Sequence, residues 1–148
     1  MNLATLTIVL ALFAGAVTAL QAPTNALLSR AFGSPVTAAF ISFAVGTAAL
    51  AAILLLLPSR MDPAAVRALP WYAWMGGLYG AVFVTVAAFA APRIGVGALL
   101  TAMVAGQLVM AVALDHSGAL GLPRQPISGG RLAGLLMVIA GVALVRRG

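Results

Sequence analysis

The chain has 148 residues, 64% of them hydrophobic and only 7% charged, whereas a soluble domain keeps roughly a quarter of its residues charged to face water. Its net charge of +6 rests on eight arginines and no lysine, scattered between apolar runs and single except for Arg146-Arg147. That pattern marks membrane topology rather than a nucleic-acid patch. With no cysteine, one histidine and two acids, disulfides, thiolate metal sites and catalytic triads lack material, so neither enzyme chemistry nor a cofactor or metal is expected.

A bilayer core about 30 Å thick needs about 20 apolar residues of helix. Five segments qualify as spans, at about 3–32, 35–57, 71–91, 94–114 and 130–145, the fifth being the shortest, in one all-α membrane domain covering 1–148 without an internal repeat. The first run is apolar from Leu3 to Leu20. Ala14-Gly15-Ala16 imitates a signal-peptide cleavage site, but no Lys or Arg precedes it and further spans follow, so it is read as a retained helix. Beyond it, Thr18, Gln21, Asn25 and Ser29 step by three, four and four, which places them on one helical face. Pro23 removes a backbone hydrogen bond within that stripe and is expected to kink it. Either the chain leaves the membrane after Leu20, or the helix runs to Phe32 at a length of about 45 Å with Gln21 and Asn25 inside a tilted span. Leu27, Leu28 and Phe32 favour the second reading.

Gly33-Ser34-Pro35 supplies a C-terminal glycine, an N-cap and an N1 proline in succession, and predicts a sharp turn into the second helix, which Pro58 ends. Pro63 and Pro70 bracket a polar connection in which Asp62–Arg67 predicts a single interfacial helical turn, followed by the aromatic anchors Trp71, Tyr72 and Trp74. Pro92-Arg93-Ile94-Gly95 predicts a tight hairpin between the third and fourth spans, with Arg93 an interface anchor. Gln107 stands near the middle of the fourth span, where a carboxamide still needs partners; it either bridges helices or lines a solute cavity. Asp115 and His116 close that span. A helix cap or an ion pair with Arg124 or Arg67 competes there with proton coupling.

Small residues mark close helix approach: Ser42 and Gly46, Gly76 and Gly80, and Gly130, Gly134 and Gly141, the last three expected at a dimer contact. Five spans place Arg60, Arg67, Arg124 and Arg131 on one side and Arg30, Arg93, Arg146 and Arg147 on the other. Four against four leaves the positive-inside rule without a preferred side, and a chain without an orientation preference can insert both ways.

These residues carry a family likeness. Gln21, Asn25, Gly33-Ser34-Pro35, Ala38-Ala39, Ile41-Ser42-Phe43 and Gly46 resemble the opening signature of the YdcZ-type family of small bacterial membrane proteins. Trp74-Met75-Gly76-Gly77, Gly80, Pro92-Arg93-Ile94-Gly95, Gly106-Gln107-Leu108 and Asp115-His116-Ser117-Gly118 extend the resemblance over nearly the whole chain. The family looks like a half-length, EamA-like member of the drug/metabolite transporter superfamily, whose full-length relatives join two inverted five-helix repeats. The resemblance implies a transport fold and a bacterial inner-membrane location, without a substrate. One departure is clear: small multidrug exporters carry a glutamate in helix one for proton and cation binding, and no acid occurs in helix one here.

The resulting expectation is a transporter of a small polar or amphipathic metabolite, working by alternating access as an antiparallel homodimer or as a heterodimer with a paralogous subunit. Gln21, Asn25 and Gln107 are the expected solute contacts, with Thr18, Ser42 and Thr101 as further lining residues and Asp115 and His116 as the coupling candidates. Membrane lipid and a small-molecule solute are the expected partners, and nucleic acid is not. The rival is a non-transporting accessory membrane subunit whose polar groups only join helices. A channel is disfavoured because no ring of repeated polar positions appears.

Overall fold

The computed structural model describes residues 2–57 and 61–147. Pro58, expected to end the second helix, and Arg60, counted as a topology marker, lie outside the described residues. Six α-helices and two short 3-10 segments make up the described chain, with no strand among the described residues. Five of these helical stretches are long and apolar enough to cross a membrane: Leu3–Phe32, Pro35–Leu56, Trp71–Ile94, Val96–Ser117 and Gly129–Arg147. The contacts divide the chain into two compact units, residues 1–93 and 94–148.

In the first unit, α1 (Leu3–Phe32) starts on the Asn2 side chain, which accepts from the Thr5 N–H at 2.8 Å and from the Thr5 hydroxyl at 2.7 Å. It continues through Pro23 without a break. A proline fixes a φ that a helix accepts, so the cost is one missing donor and local crowding rather than termination. The stop comes at Gly33, whose φ of 70° is the left-handed C-cap that a side chain would strain. Ser34 then caps α2 (Pro35–Leu56) by accepting from the Thr37 N–H at 3.2 Å, with Pro35 at the first helical position. The expected turn is realised residue for residue.

α1 and α2 pack against each other. Ala22 and Ala26 of α1 and Ala38 and Ala39 of α2 are buried, so the contact is built of small side chains that let backbones approach, as association within lipid requires. Asp62 caps the short α3 (Pro63–Arg67), accepting from the Ala64 N–H at 2.9 Å, and the predicted interfacial turn is present. Trp71–Met75 form a 3-10 turn with Trp71 and Tyr72 edge to face at 6.1 Å between ring centres.

α4 (Gly76–Ile94) buries Val84, Ala87, Ala88 and Ala91, one face at helical spacing. Gly80 is its close approach to α2: a Cβ there would stand 2.9 Å from the Cζ of Phe43. The third span therefore runs past the expected end at residue 91. Pro92 stays helical, and only Gly95, with φ of 79°, breaks the chain before the next helix. Proline opposes a helix mainly through its missing N–H, whereas a positive φ demands glycine, so the glycine and not the proline sets this boundary.

In the second unit, α5 (Val96–Ser117) and α6 (Gly129–Arg147) pack together. α5 runs past its expected end at residue 114 and stops at Gly118, whose φ is 68° and whose N–H donates to the Leu114 carbonyl at 2.8 Å. Across the following loop the Gln125 N–H donates to the Asp115 carbonyl at 2.7 Å and Arg124 Nε donates to the His116 carbonyl at 2.9 Å.

Candidate solute-binding site

The polar stripe of α1 is graded rather than uniform. Asn25 is 2% exposed, Gln21 and Ser29 are half-buried, and Thr18 is exposed. The buried face is set by Ala22, Asn25, Ala26 and Ser29, spaced i, i+3, i+4 and i+7, so Gln21 stands at its edge and Thr18 beyond it. Beside that edge runs an open groove of about 420 Å³ lined by Val17, Thr18, Leu20, Gln21 and Thr24. Measured along the helix, Gln21 and Asn25 lie about 16 Å and about 10 Å before its C-terminal end.

The threonine hydroxyls beside the amides are already engaged. Thr18 Oγ1 donates to the Ala14 carbonyl at 2.8 Å, and Thr24 Oγ1 lies 3.0 Å from both the Leu20 and Gln21 carbonyls. These back-bonds satisfy a hydroxyl inside a helix and leave its oxygen only an accepting role toward anything else. The amides are different. Nδ2 of Asn25 is buried and has no hydrogen-bond partner among the described residues. An amide left unmet in a low-dielectric site costs about 1–3 kcal/mol.

Of the remaining expected contacts, Ser42 is half-buried on α2, Thr101 is half-buried on α5 with its hydroxyl donated to the Gly97 carbonyl at 2.7 Å, and Gln107 is exposed on α5. An exposed carboxamide on a membrane-spanning helix must be met by a partner, another chain or water. The two amides of α1 belong to the first unit and Gln107 to the second. Thr24 joins the lining without having stood out in the sequence, although it follows Gln21 by three residues and shares its groove.

Asp115 has a partner, but not the one expected. Its carboxylate pairs with Arg131 at 3.3 Å rather than with Arg124 or Arg67, and Arg131 also donates to the Gln125 side chain. Arg131 opens α6 directly across from the last turn of α5, while the Arg124 guanidinium is turned onto the His116 carbonyl. Both members of the pair are more than a third exposed, which confines its worth to about 0–1 kcal/mol. His116 is exposed. A Cβ at Gly130, Gly134 or Gly141 would meet nothing within 4 Å, so close packing inside the chain does not explain these three glycines.

Long apolar spans, alanine-built contacts and isolated amides define a multi-pass α-helical membrane protein with uncharged polar groups held inside a span. The chain belongs to the family described as "Putative inner membrane exporter, YdcZ", which matches residues 6–144. It is thus a multi-pass protein of the inner membrane, in a family whose description names an export role. No curated protein and no solved structure matches it.

Proposed function

We propose that the protein moves a small polar or amphipathic solute out across the inner membrane by alternating access, as an antiparallel dimer in which Gln21 and Asn25 bind the solute through hydrogen bonds without a fixed charge. Asn25 carries the reading: an amide 2% exposed, with Nδ2 unpartnered among the described residues, in a helix otherwise given to alanine and leucine. A solute carbonyl or hydroxyl would complete its hydrogen bonding during part of the cycle. Gln107, exposed on its own span, is a further uncharged candidate. The dimer is supported by the balanced arginines and by open space at Gly134. Substrate chemistry follows from the same residues: amides offer donors and acceptors but no ion, so neutral hydrogen-bonding groups are favoured over a bare cation.

Solute efflux from proteoliposomes tests the reading. Asn25→Leu and Gln107→Leu should each remove saturable flux while the protein still inserts. Unchanged flux in both variants would reduce the amides to helix-joining groups. C-terminal reporters of both orientations should be active from one gene, and Gly134→Leu should lower the dimer fraction in detergent without unfolding the chain, since a side chain there meets open space within it.

A further inference from the structure

At one end of the first unit, the last turns of α1 and α4 and the start of α2 enclose an open cleft of about 530 Å³, with Ser29, Arg30, Phe89 and Arg93 in its lining. Its remaining walls are apolar or backbone, from Ala26, Gly33, Pro35, Ala88 and Pro92. Among the described residues, no carboxylate side chain lines it. The chain has two, of which Asp62 caps α3 and Asp115 pairs with Arg131. Two guanidiniums thus share one cleft without a counter-charge.

Arg93 is held in place. Its guanidinium lies over the Phe89 ring, 3.6 Å from the ring centre, and Nη1 donates to the Phe89 carbonyl. Stacking fixes the plane of the group and the hydrogen bond uses one of its five donors, leaving an oriented fork for further acceptors. Arg30 makes no salt bridge among the described residues. Ser29 adds a hydroxyl. Arginine pairs of this kind match the oxygens of a phosphate bidentately, which a point charge does not.

Position along the spans also matters. Arg30 and Arg93 both sit in the last turn of a membrane-spanning helix, the depth at which lipid headgroups lie. The apolar walls between them are suited to the carbon chain next to a phosphate rather than to a bare ion in water. We propose that this cleft binds a phosphate group, through Arg30 and Arg93, separately from the solute-binding amides of α1. An anionic phospholipid and a soluble phosphate present the same oxygens, and the two sources are distinguishable.

The competing role for these arginines is to offset the negative ends of α1 and α4, which requires no ligand. The full chain is placed in nanodiscs of phosphatidylcholine alone, then with increasing phosphatidylglycerol, and separately with inorganic phosphate, and thermal unfolding is followed by intrinsic tryptophan fluorescence. Phosphatidylglycerol should raise the Tm of the native protein. In Arg30→Gln/Arg93→Gln the midpoint of that titration should rise by about tenfold, as expected for loss of a charge-assisted pair. Arg146→Gln/Arg147→Gln removes the same charge elsewhere and should leave the midpoint unchanged. If inorganic phosphate gives the same arginine-dependent gain in phosphatidylcholine, the source is a soluble phosphate and the site stands. The proposal is overturned if neither additive raises the Tm, or if the double variant retains the whole gain. Arg30 makes no salt bridge among the described residues, so Arg30→Gln alone is the milder variant and reads the same outcome should the double variant fail to fold.

Discussion

Two polar groupings in this molecule follow opposite rules. At the junction of α5 and α6, Asp115, Arg131, Gln125, Arg124 and the His116 carbonyl close on one another, and each is at least partly exposed or backed by a neighbour. On α1, Asn25 is buried with its amide unmet among the described residues. The first grouping is complete without a ligand and holds a loop. The second is incomplete and sits in a costlier environment. Polarity in a membrane chain is therefore not one signal: partnered groups fasten the fold, while an unpartnered buried one marks the candidate site.

The most direct way to break this contrast is Asn25→Leu. The substitution keeps the number and branching of side-chain heavy atoms and removes both the unmet donor and the proposed solute contact. Flux should fall by about 10- to 100-fold, the loss of one or two good hydrogen bonds, while unfolding in detergent shifts toward greater stability by about 1–3 kcal/mol. Opposite signs in the two measurements are the signature. A lower Tm with flux intact would mean that the amide is partnered and structural.

Glycines at the two turns give the next largest effect. Gly33 and Gly118 both have a positive φ, but a Cβ at Gly33 meets open space while one at Gly118 would lie 3.3 Å from Arg124 Cβ and from the Leu122 carbonyl oxygen. Gly33→Ala should cost about 1–2 kcal/mol, the usual strain of the left-handed region. Gly118→Ala should cost more, because the Arg124 loop must also give way, and scanning calorimetry of the two variants would show the difference. Equal losses would mean that the loop yields freely.

Smallest of all should be Asp115→Asn. An ion pair this exposed contributes about 0–1 kcal/mol, and less at high salt. Flux should be unchanged across pH, measured at several values, since the proposed contacts on α1 carry no titrating group. A loss of transport confined to Asp115→Asn would make the carboxylate a coupling site and not a fastening.

The five spans and the Gly33-Ser34-Pro35 turn are legible in the sequence because length, apolarity and cap chemistry are properties of neighbouring residues. The short turn at Asp62–Arg67 is legible for the same reason. Pro92 is a misleading marker because a proline near a helix end is compatible with the helix, and Gly95 alone carries the break. The Asp115–Arg131 pair spans a loop whose path no local pattern encodes, so the choice among nearby arginines is hidden from the sequence. The stripe on α1 is visible as a spacing, but periodicity does not say which member is most deeply covered. That Asn25 and not Gln21 or Thr18 is buried depends on packing.

α1 has one more consequence, through its length. Thirty residues of helix reach about 45 Å, against a hydrocarbon layer of about 30 Å. The surplus can be absorbed by a lean well beyond the usual inclination, or by letting the Gln21–Phe32 end project toward the headgroups. Either way the depth of Asn25 is set by the membrane as much as by the protein. Lipids with longer or shorter acyl chains would raise or lower that amide relative to water, so membrane thickness becomes a control on its hydration. Reconstitution in a graded series of chain lengths should give an optimum in flux, with hydrophobic mismatch acting as a dial on the site.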